Sequence, residues 1–195
     1  MNTFKKIASV FAAAAMALSL AACSNSNGSS AASDSTDDSS AASGSYRTVD
    51  QIKESGEITI GVFSDKNPFG YVDNDGKFQG YDVYFADRIA KDLGVELKLV
   101  PVEAASRVEF LETAKVDIIL ANFTVTDERK EKVDFALPYM KVALGVVSPD
   151  SAIITDAEQL NGKTLIVVKG TTAETYLTKN YPNIKLQKYD AYAQA

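Results

Sequence analysis

From residue 58 onward, short apolar runs alternate with stretches in which apolar positions recur every three or four residues. The runs at 58–63, 95–100, 116–121, 142–147, 164–168 and 184–188 are rich in Ile, Val and Leu and predict strands. Between the first two, Ala86, Ile89, Ala90 and Leu93 fall at helical spacing, with Asp87, Arg88, Lys91 and Asp92 on the opposite side. Asp82 is a plausible N-cap for this helix and Gly94 a plausible stop. Val108, Leu111 and Ala114 mark a second helix. A third runs from 172 to about 180, with Ala173, Tyr176 and Leu177 inward and Thr171 with Glu174 as a capping box. This rhythm predicts α/β layers with largely parallel sheets, whose ligands sit beyond the carboxyl ends of the strands. Residues 135–147 form a long, nearly helix-free stretch containing Pro138, and a fresh strand–helix pattern starts after it. A crossing between two lobes is expected near residues 140–150.

The first 45 residues do not share this rhythm. Lys5 and Lys6 precede an apolar stretch at 7–20, followed by small residues, which is the layout of a secretory leader. The stretch is short of the roughly 20 apolar residues a spanning helix needs. Leu20, Ala21, Ala22 and Cys23 resemble the bacterial lipobox, in which the leader (here 1–22) is removed and the cysteine carries a diacylglycerol. Residues 24–45 contain only Ser, Ala, Asp, Asn, Gly and Thr, too polar to offset ordering entropy by burial, and predict a flexible tether. The folded part is therefore expected from Tyr46 onward.

Composition narrows the chemistry. The 195 residues include one cysteine, no histidine and no tryptophan, so no histidine base, His-ligated metal or Cys pair can form within one chain, and no metal site or cofactor is expected. A net charge of −6 opposes the basic footprint needed for nucleic acid. Removing residues 1–22 takes away two lysines and leaves the remainder more acidic still.

Asp73, Asn74, Asp75 and Gly76 look briefly like part of a calcium loop, but its first position would be Tyr71, which offers no carboxylate; a hairpin turn between Tyr71 and Phe78 is the better reading. Gly162, Lys163 and Thr164 do not complete a phosphate loop, because the glycine required five residues earlier is Ala157 and a strand follows. No carboxylate dyad stands out, and no catalytic residue is assigned. Residues 121–129 are different. They follow a buried-strand pattern and gather Asn122, Phe123, Thr124, Thr126 and Arg129 at a strand's carboxyl end. A planar guanidinium can bind a carboxylate through two parallel hydrogen bonds, with nearby hydroxyls and amides filling the remaining lone pairs. Arg129 equally fits the solvated face of the charged run 127–132, and both readings stay open on spacing alone. At Lys169, Gly170, Thr171 and Thr172 a strand ends, glycine lets a ligand approach the backbone, and a capped helix start presents free amides. Two anion-seeking strand ends on different lobes point to a cleft closing on one carboxylate.

At these residues the chain resembles the polar amino-acid family of extracellular solute-binding proteins that feed ABC importers. The similarity runs from about residue 49 to the end. It includes Gly80, Tyr81, Asp82 and Val83, the run 116–119, the run 124–129, Phe135 to Tyr139, and Gly170, Thr171 and Thr172. The resemblance implies a periplasmic-binding-protein type II fold of two α/β lobes, here 46–143 and part of a second at 144–195, closing on a free amino acid. It also implies that Arg129 clamps the α-carboxylate, that Thr124 and Thr126 assist, and that the Thr171 amide and hydroxyl meet the same carboxylate from the second lobe. Phe69 would be an apolar wall, though it also fits the core. The blocks 104–111, 140–146 and 178–185 look like the cysteine-binding branch. Arg107 complicates this, because related aspartate binders place an arginine there to read a side-chain carboxylate. Cysteine is favoured, with aspartate, glutamate or glutamine as alternatives.

The implied role is a lipid-anchored, extracytoplasmic, non-enzymatic binding protein partnered by a permease and its ATPase. Rival roles on the same fold are cyclohexadienyl dehydratase-like turnover, the sensor-like lobe of a lytic transglycosylase, and a surface adhesin. The family continues beyond the point matching Asp190, Ala191 and Tyr192 and supplies an aspartate for the ligand amine, whereas this chain stops at Ala195. The resemblance therefore implies an incomplete second lobe and weak or absent affinity.

Overall fold

A computed structural model describes residues 46–195, so the expected leader, Cys23 and tether lie outside the described residues. Helix α1 (Val49–Ser55) opens the folded part. Its start is fixed by a capping box in which Thr48 Oγ1 accepts from the Gln51 amide at 3.3 Å and Gln51 Oε1 accepts from the Thr48 amide at 2.8 Å. Strand β1 (Glu57–Val62) follows, with Ile58, Ile60 and Val62 essentially solvent-free. Fully burying each such side chain contributes roughly 1.5–3 kcal/mol relative to leaving it exposed, so this strand is the axis of the first layer. It pairs in parallel with β5 (Glu96–Pro101) on one side and β6 (Ile118–Ile119) on the other. Arg47 clasps Asp117 from the front of the chain, and Asp117 also accepts from the Thr59 amide at 2.7 Å.

Between β1 and β5 the chain builds a small antiparallel sheet, β2 (Asp65–Lys66), β3 (Gly70–Val72) and β4 (Phe78–Gln79), in that order. The expected hairpin turn joins β3 to β4: Val72 faces Phe78, and Asp73 Oδ1 accepts from the amides of Asp75 and Lys77 at 3.0 and 2.9 Å. Helix α2 (Tyr81–Leu93) lays Ala86 and Ala90 on β1 and stops at Gly94, as its spacing predicts. Its start differs from expectation. Gly80 holds the N-cap position, and Asp82 lies inside the first turn with no exposure, because its carboxylate is engaged by partners outside the helix.

Helix α3 (Arg107–Glu112) is shorter than predicted: Ala114 lies beyond it, with φ of 50°. Of the run 116–121, only two residues join the ladder. Helix α4 (Asp127–Lys130) is a single turn. The predicted strand at 142–147 is absent. Val142, Leu144, Val146 and Val147 are exposed, Val147 completely, and no described strand pairs with this segment. An apolar run makes a strand only where a neighbour supplies the ladder.

The second sheet is β7 (Thr164–Val168) parallel to β8 (Lys185–Tyr189), linked by α5 (Thr172–Asn180). Short 3₁₀ turns at Asp150–Ala152, Ala157–Leu160 and Tyr192–Gln194 flank it. In α5, Leu177 packs inward on Leu160, Val167 and Ile184, but Tyr176 is 50% exposed beside Tyr181, contrary to expectation. The capping box is half formed. Thr171 Oγ1 accepts from the Glu174 amide at 3.2 Å, while the Glu174 carboxylate turns to the Gly170 amide at 2.7 Å and to Lys188. A separate cluster joins the two sheets: Phe63, Val102, Ala104 and Ala121 from the ends of the first meet Val168 from the second, with Tyr192 against them. The carboxyl ends of both sheets therefore converge.

Candidate functional site

A cavity of about 780 Å³ opens at this convergence. Of the residues singled out in the sequence, Phe69, Arg107, Asn122, Thr124, Arg129, Thr171 and Thr172 line it. Thr126 and Gly170 do not line it: Thr126 caps the helix that carries Arg129 with its hydroxyl, and Gly170 offers its carbonyl to Arg107 and Arg129.

Arg129 is carried by α4, whose start is set by Thr126: its Oγ1 accepts from the Arg129 amide at 3.3 Å. The guanidinium then donates from Nη1 to the Thr124 carbonyl at 2.6 Å and from Nη2 to the Gly170 carbonyl at 2.9 Å. Arg107 is 3% exposed and makes a wider set of bonds. Nε donates to Ala104 O at 2.9 Å, Nη1 to Ala121 O at 2.9 Å and Asn122 O at 3.3 Å, and Nη2 to Gly170 O at 2.9 Å. One carbonyl of the second sheet's first turn thus receives both guanidiniums of the first layer. Both cations also lie against the ring of Phe123, 4.4 Å from its centroid for Arg107 Cζ and 4.6 Å for Arg129 Cζ. Burial, reinforced by Arg129, lowers Arg107 to about 10, and burial lowers Arg129 as well. Both remain cations at neutral pH.

Gly170 permits this approach. Its φ is +72°, and a Cβ there would lie 2.5 Å from Ala105 Cα and 2.8 Å from Ala104 O, so the two backbones are in direct contact. The Thr171 hydroxyl donates to Val168 O at 2.7 Å, completing the turn. Burial alone would raise the Glu174 carboxyl, but hydrogen bonds from Lys188 and the Gly170 amide outweigh it and hold the group below its ordinary range.

Asn122 holds the other side of the site and sits at φ of 46°. Its amide donates to Asp82 Oδ2 at 3.0 Å, and Asp82 Oδ1 accepts from the Tyr139 hydroxyl at 2.7 Å. Asp82, read from sequence as a cap, instead fixes this loop from below. Burial raises its carboxyl, partly offset by the Tyr139 and Asn122 donors, and burial with the Asp82 charge raises the Tyr139 phenol.

Sequence reasoning missed Lys66. Its Nζ donates to Asn122 Oδ1 at 2.7 Å and to the Tyr192 hydroxyl at 2.9 Å, and it lies 4.3 Å from the Tyr192 ring centroid and 5.2 Å from that of Phe69. Burial, then the nearby Arg107 charge, lowers it to about 8. The available signal was a lysine three residues before Phe69 in the loop after the first strand, at the carboxyl end where ligands gather.

Lys66, Arg107 and Arg129 line the cavity, and among the described residues no Asp or Glu side chain does. Such a wall attracts an anion, and the threonines along it suit a carboxylate.

Comparison with known proteins bears on the family. The family model of bacterial extracellular solute-binding proteins, family 3, matches residues 58–191. The solute receptor for L-cysteine of Neisseria gonorrhoeae is similar in structure, with a TM-score of 0.74 and 58% identity over 76% of this chain and 61% of that one. The cysteine-binding protein of Campylobacter jejuni gives a TM-score of 0.73 and 58% identity over 75% and 60%. An L-cystine-binding protein of Escherichia coli (strain K12) is 33% identical over 144 residues, which is 73% of this chain and 54% of that protein. The chain therefore spans between half and two thirds of the length of these relatives. The architecture is the mixed α/β periplasmic-binding-protein type II fold. With its parallel sheets meeting at a cationic cavity and the family match covering both of them, the chain belongs to the bacterial extracellular solute-binding proteins, family 3.

Proposed function

We propose that this chain is the substrate-capturing component of an ABC importer and that its ligand is a free polar amino acid, cysteine before the acidic amino acids or glutamine. The observation that carries the reading is the meeting of Arg129 from the first layer with Gly170 from the second across a cavity lined by cations and hydroxyls. In this reading the α-carboxylate takes the Arg129 guanidinium, with Thr124 and Asn122 beside it on one lobe and the amides of Thr171 and Thr172 on the other, the Gly170 amide being held by Glu174 and the Thr171 hydroxyl by the Val168 carbonyl. Arg107 shapes the wall, since its donors already serve four backbone carbonyls. Phe69 covers the apolar part of the ligand. Ligand contacts to both lobes bias an open–closed equilibrium toward closure, and the closed form is what a permease would recognise. Two relatives are described as receptors for cysteine, which supports cysteine as the first choice. The proposal extends to residues 46–143 and 144–195 as the two lobes and to Cys23 as a lipid anchor on the outer face of the membrane. The role is binding without turnover.

Thermal-shift measurement of the 195-residue chain against each free amino acid tests this. A rise in melting temperature with cysteine is expected, because a ligand that binds only the folded state stabilises it. No shift with any amino acid would remove the reading, and turnover of a cyclohexadienyl substrate would replace it with the dehydratase alternative.

A further inference from the structure

The cation inventory of the cavity exceeds what one α-carboxylate requires. Arg129 is assigned to the α-carboxylate and Arg107 donates to four backbone carbonyls, whereas Lys66 uses two of its three N–H groups, on Asn122 Oδ1 and the Tyr192 hydroxyl. The third has no partner among the described residues. The ammonium is enclosed by aromatic rings, with centroids at 4.3 Å for Tyr192, 5.2 Å for Phe69 and 5.4 Å for Phe63. The charged and titratable groups around it are Asp65 on its own strand, Asp82 on α2, Arg107 on α3 and the Tyr192 phenol.

Resting on the amino-acid reading above, we propose that Lys66 reads the ligand side chain and that the site takes cysteine as its thiolate. A carboxylate side chain would need several donors, and Lys66 offers one. A polarisable sulfur needs one donor and packs well against aromatic rings. A free thiol titrates near pH 8.5 and ionises more easily beside Lys and Arg. On binding, the S–H bond breaks heterolytically: the electron pair stays on sulfur against Lys66, and the proton leaves to the buffer. Serine has the same shape but does not ionise, so it is the discriminating analogue.

The test is titration calorimetry of the 195-residue chain with cysteine, serine and aspartate near neutral pH, in two buffers of different ionisation enthalpy. Release of about one proton per cysteine bound is expected, with none for serine and at least about tenfold weaker serine binding. Lys66→Met should lower cysteine affinity by about tenfold more than serine affinity and abolish the proton release. Cysteine binding without proton release, an unchanged cysteine-to-serine ratio in Lys66→Met, or aspartate binding more tightly than cysteine would each overturn the thiolate assignment while leaving amino-acid capture standing. Absence of heat with all three, together with no thermal shift from any other amino acid, would overturn both. If Lys66→Met does not fold, the proton count of the unmodified chain decides.

Discussion

Gly170→Ala tests whether the two layers meet as closely as described. The added methyl meets two costs. The first is conformational: a φ of +72° lies in the left-handed region, where a Cβ costs about 1–2 kcal/mol. The second is steric, because the methyl would sit 2.5 Å from Ala105 Cα, 2.7 Å from Ala105 N and 2.8 Å from Ala104 O. These are backbone atoms that cannot rotate aside, so the turn must move, at a cost of about 1–3 kcal/mol by analogy with overpacked cores. The total is about 2–5 kcal/mol, a large part of a typical stability of about 5–15 kcal/mol. Gly162 supplies the control. Its φ is +73°, and nothing lies within 4 Å of its added Cβ, so Gly162→Ala carries the conformational cost alone. With about 2–4 °C lost per kcal/mol in a domain of this size, circular-dichroism melting should show Gly162→Ala down by about 2–8 °C and Gly170→Ala by a further several degrees. Equal shifts in the two variants would refute the close approach of the Gly170 turn to Ala104 and Ala105, and with it the geometry that brings the Gly170 carbonyl to both arginines.

Arg129→Ala should weaken amino-acid binding at least about tenfold in calorimetry, since a charge-assisted contact is lost; an unchanged dissociation constant would take Arg129 out of the site. Asp82→Ala should destabilise the fold by about 2–4 kcal/mol in urea unfolding, because the Tyr139 hydroxyl and Asn122 amide both lose their acceptor in a buried place, and Tyr139→Phe should cost less. Lys66 makes stability depend on alkaline pH. Its folded value of about 8 lies below its ordinary 10.5, so between these the folded state holds fewer protons than the unfolded chain, and stability should rise as pH climbs through that window. Urea unfolding of the wild type against Lys66→Met isolates this slope, and identical pH profiles would contradict the buried, cation-crowded setting of Lys66.

Much of the layering could be read from the chain because local and tertiary demands coincide. Ile58, Ile60 and Val62 supply a buried strand, Ala86 and Ala90 suit the helix that covers it, and Gly94 ends that helix where the spacing says it should. Spacing alone left Arg129 open between a strand-end site and a solvated helix face, and the structure puts both Arg129 and Thr171 along the cavity. Failures came where a residue's role depends on distant partners. Asp82 looks like a cap because caps are local, yet its carboxylate is claimed by Asn122 and Tyr139, 40 and 57 residues away. Lys66 is one charge among many until the Tyr192 hydroxyl, 126 residues on, comes beside it. The run 142–147 has the apolar, Val-rich composition of a strand but no described neighbour to pair with.

The shared Gly170 carbonyl gives the site an internal rival for its own ligand. With both guanidiniums donating to that oxygen, the cavity is not a bare clamp awaiting an anion. An arriving carboxylate must displace a neutral acceptor, and the measured affinity reports the difference between the two. If the latched arrangement outnumbers the receptive one by about ten to one, apparent affinity falls by about tenfold. Weakening the latch without touching Arg129 should therefore tighten binding, so a site that holds itself shut keeps affinity in reserve that a single backbone oxygen controls.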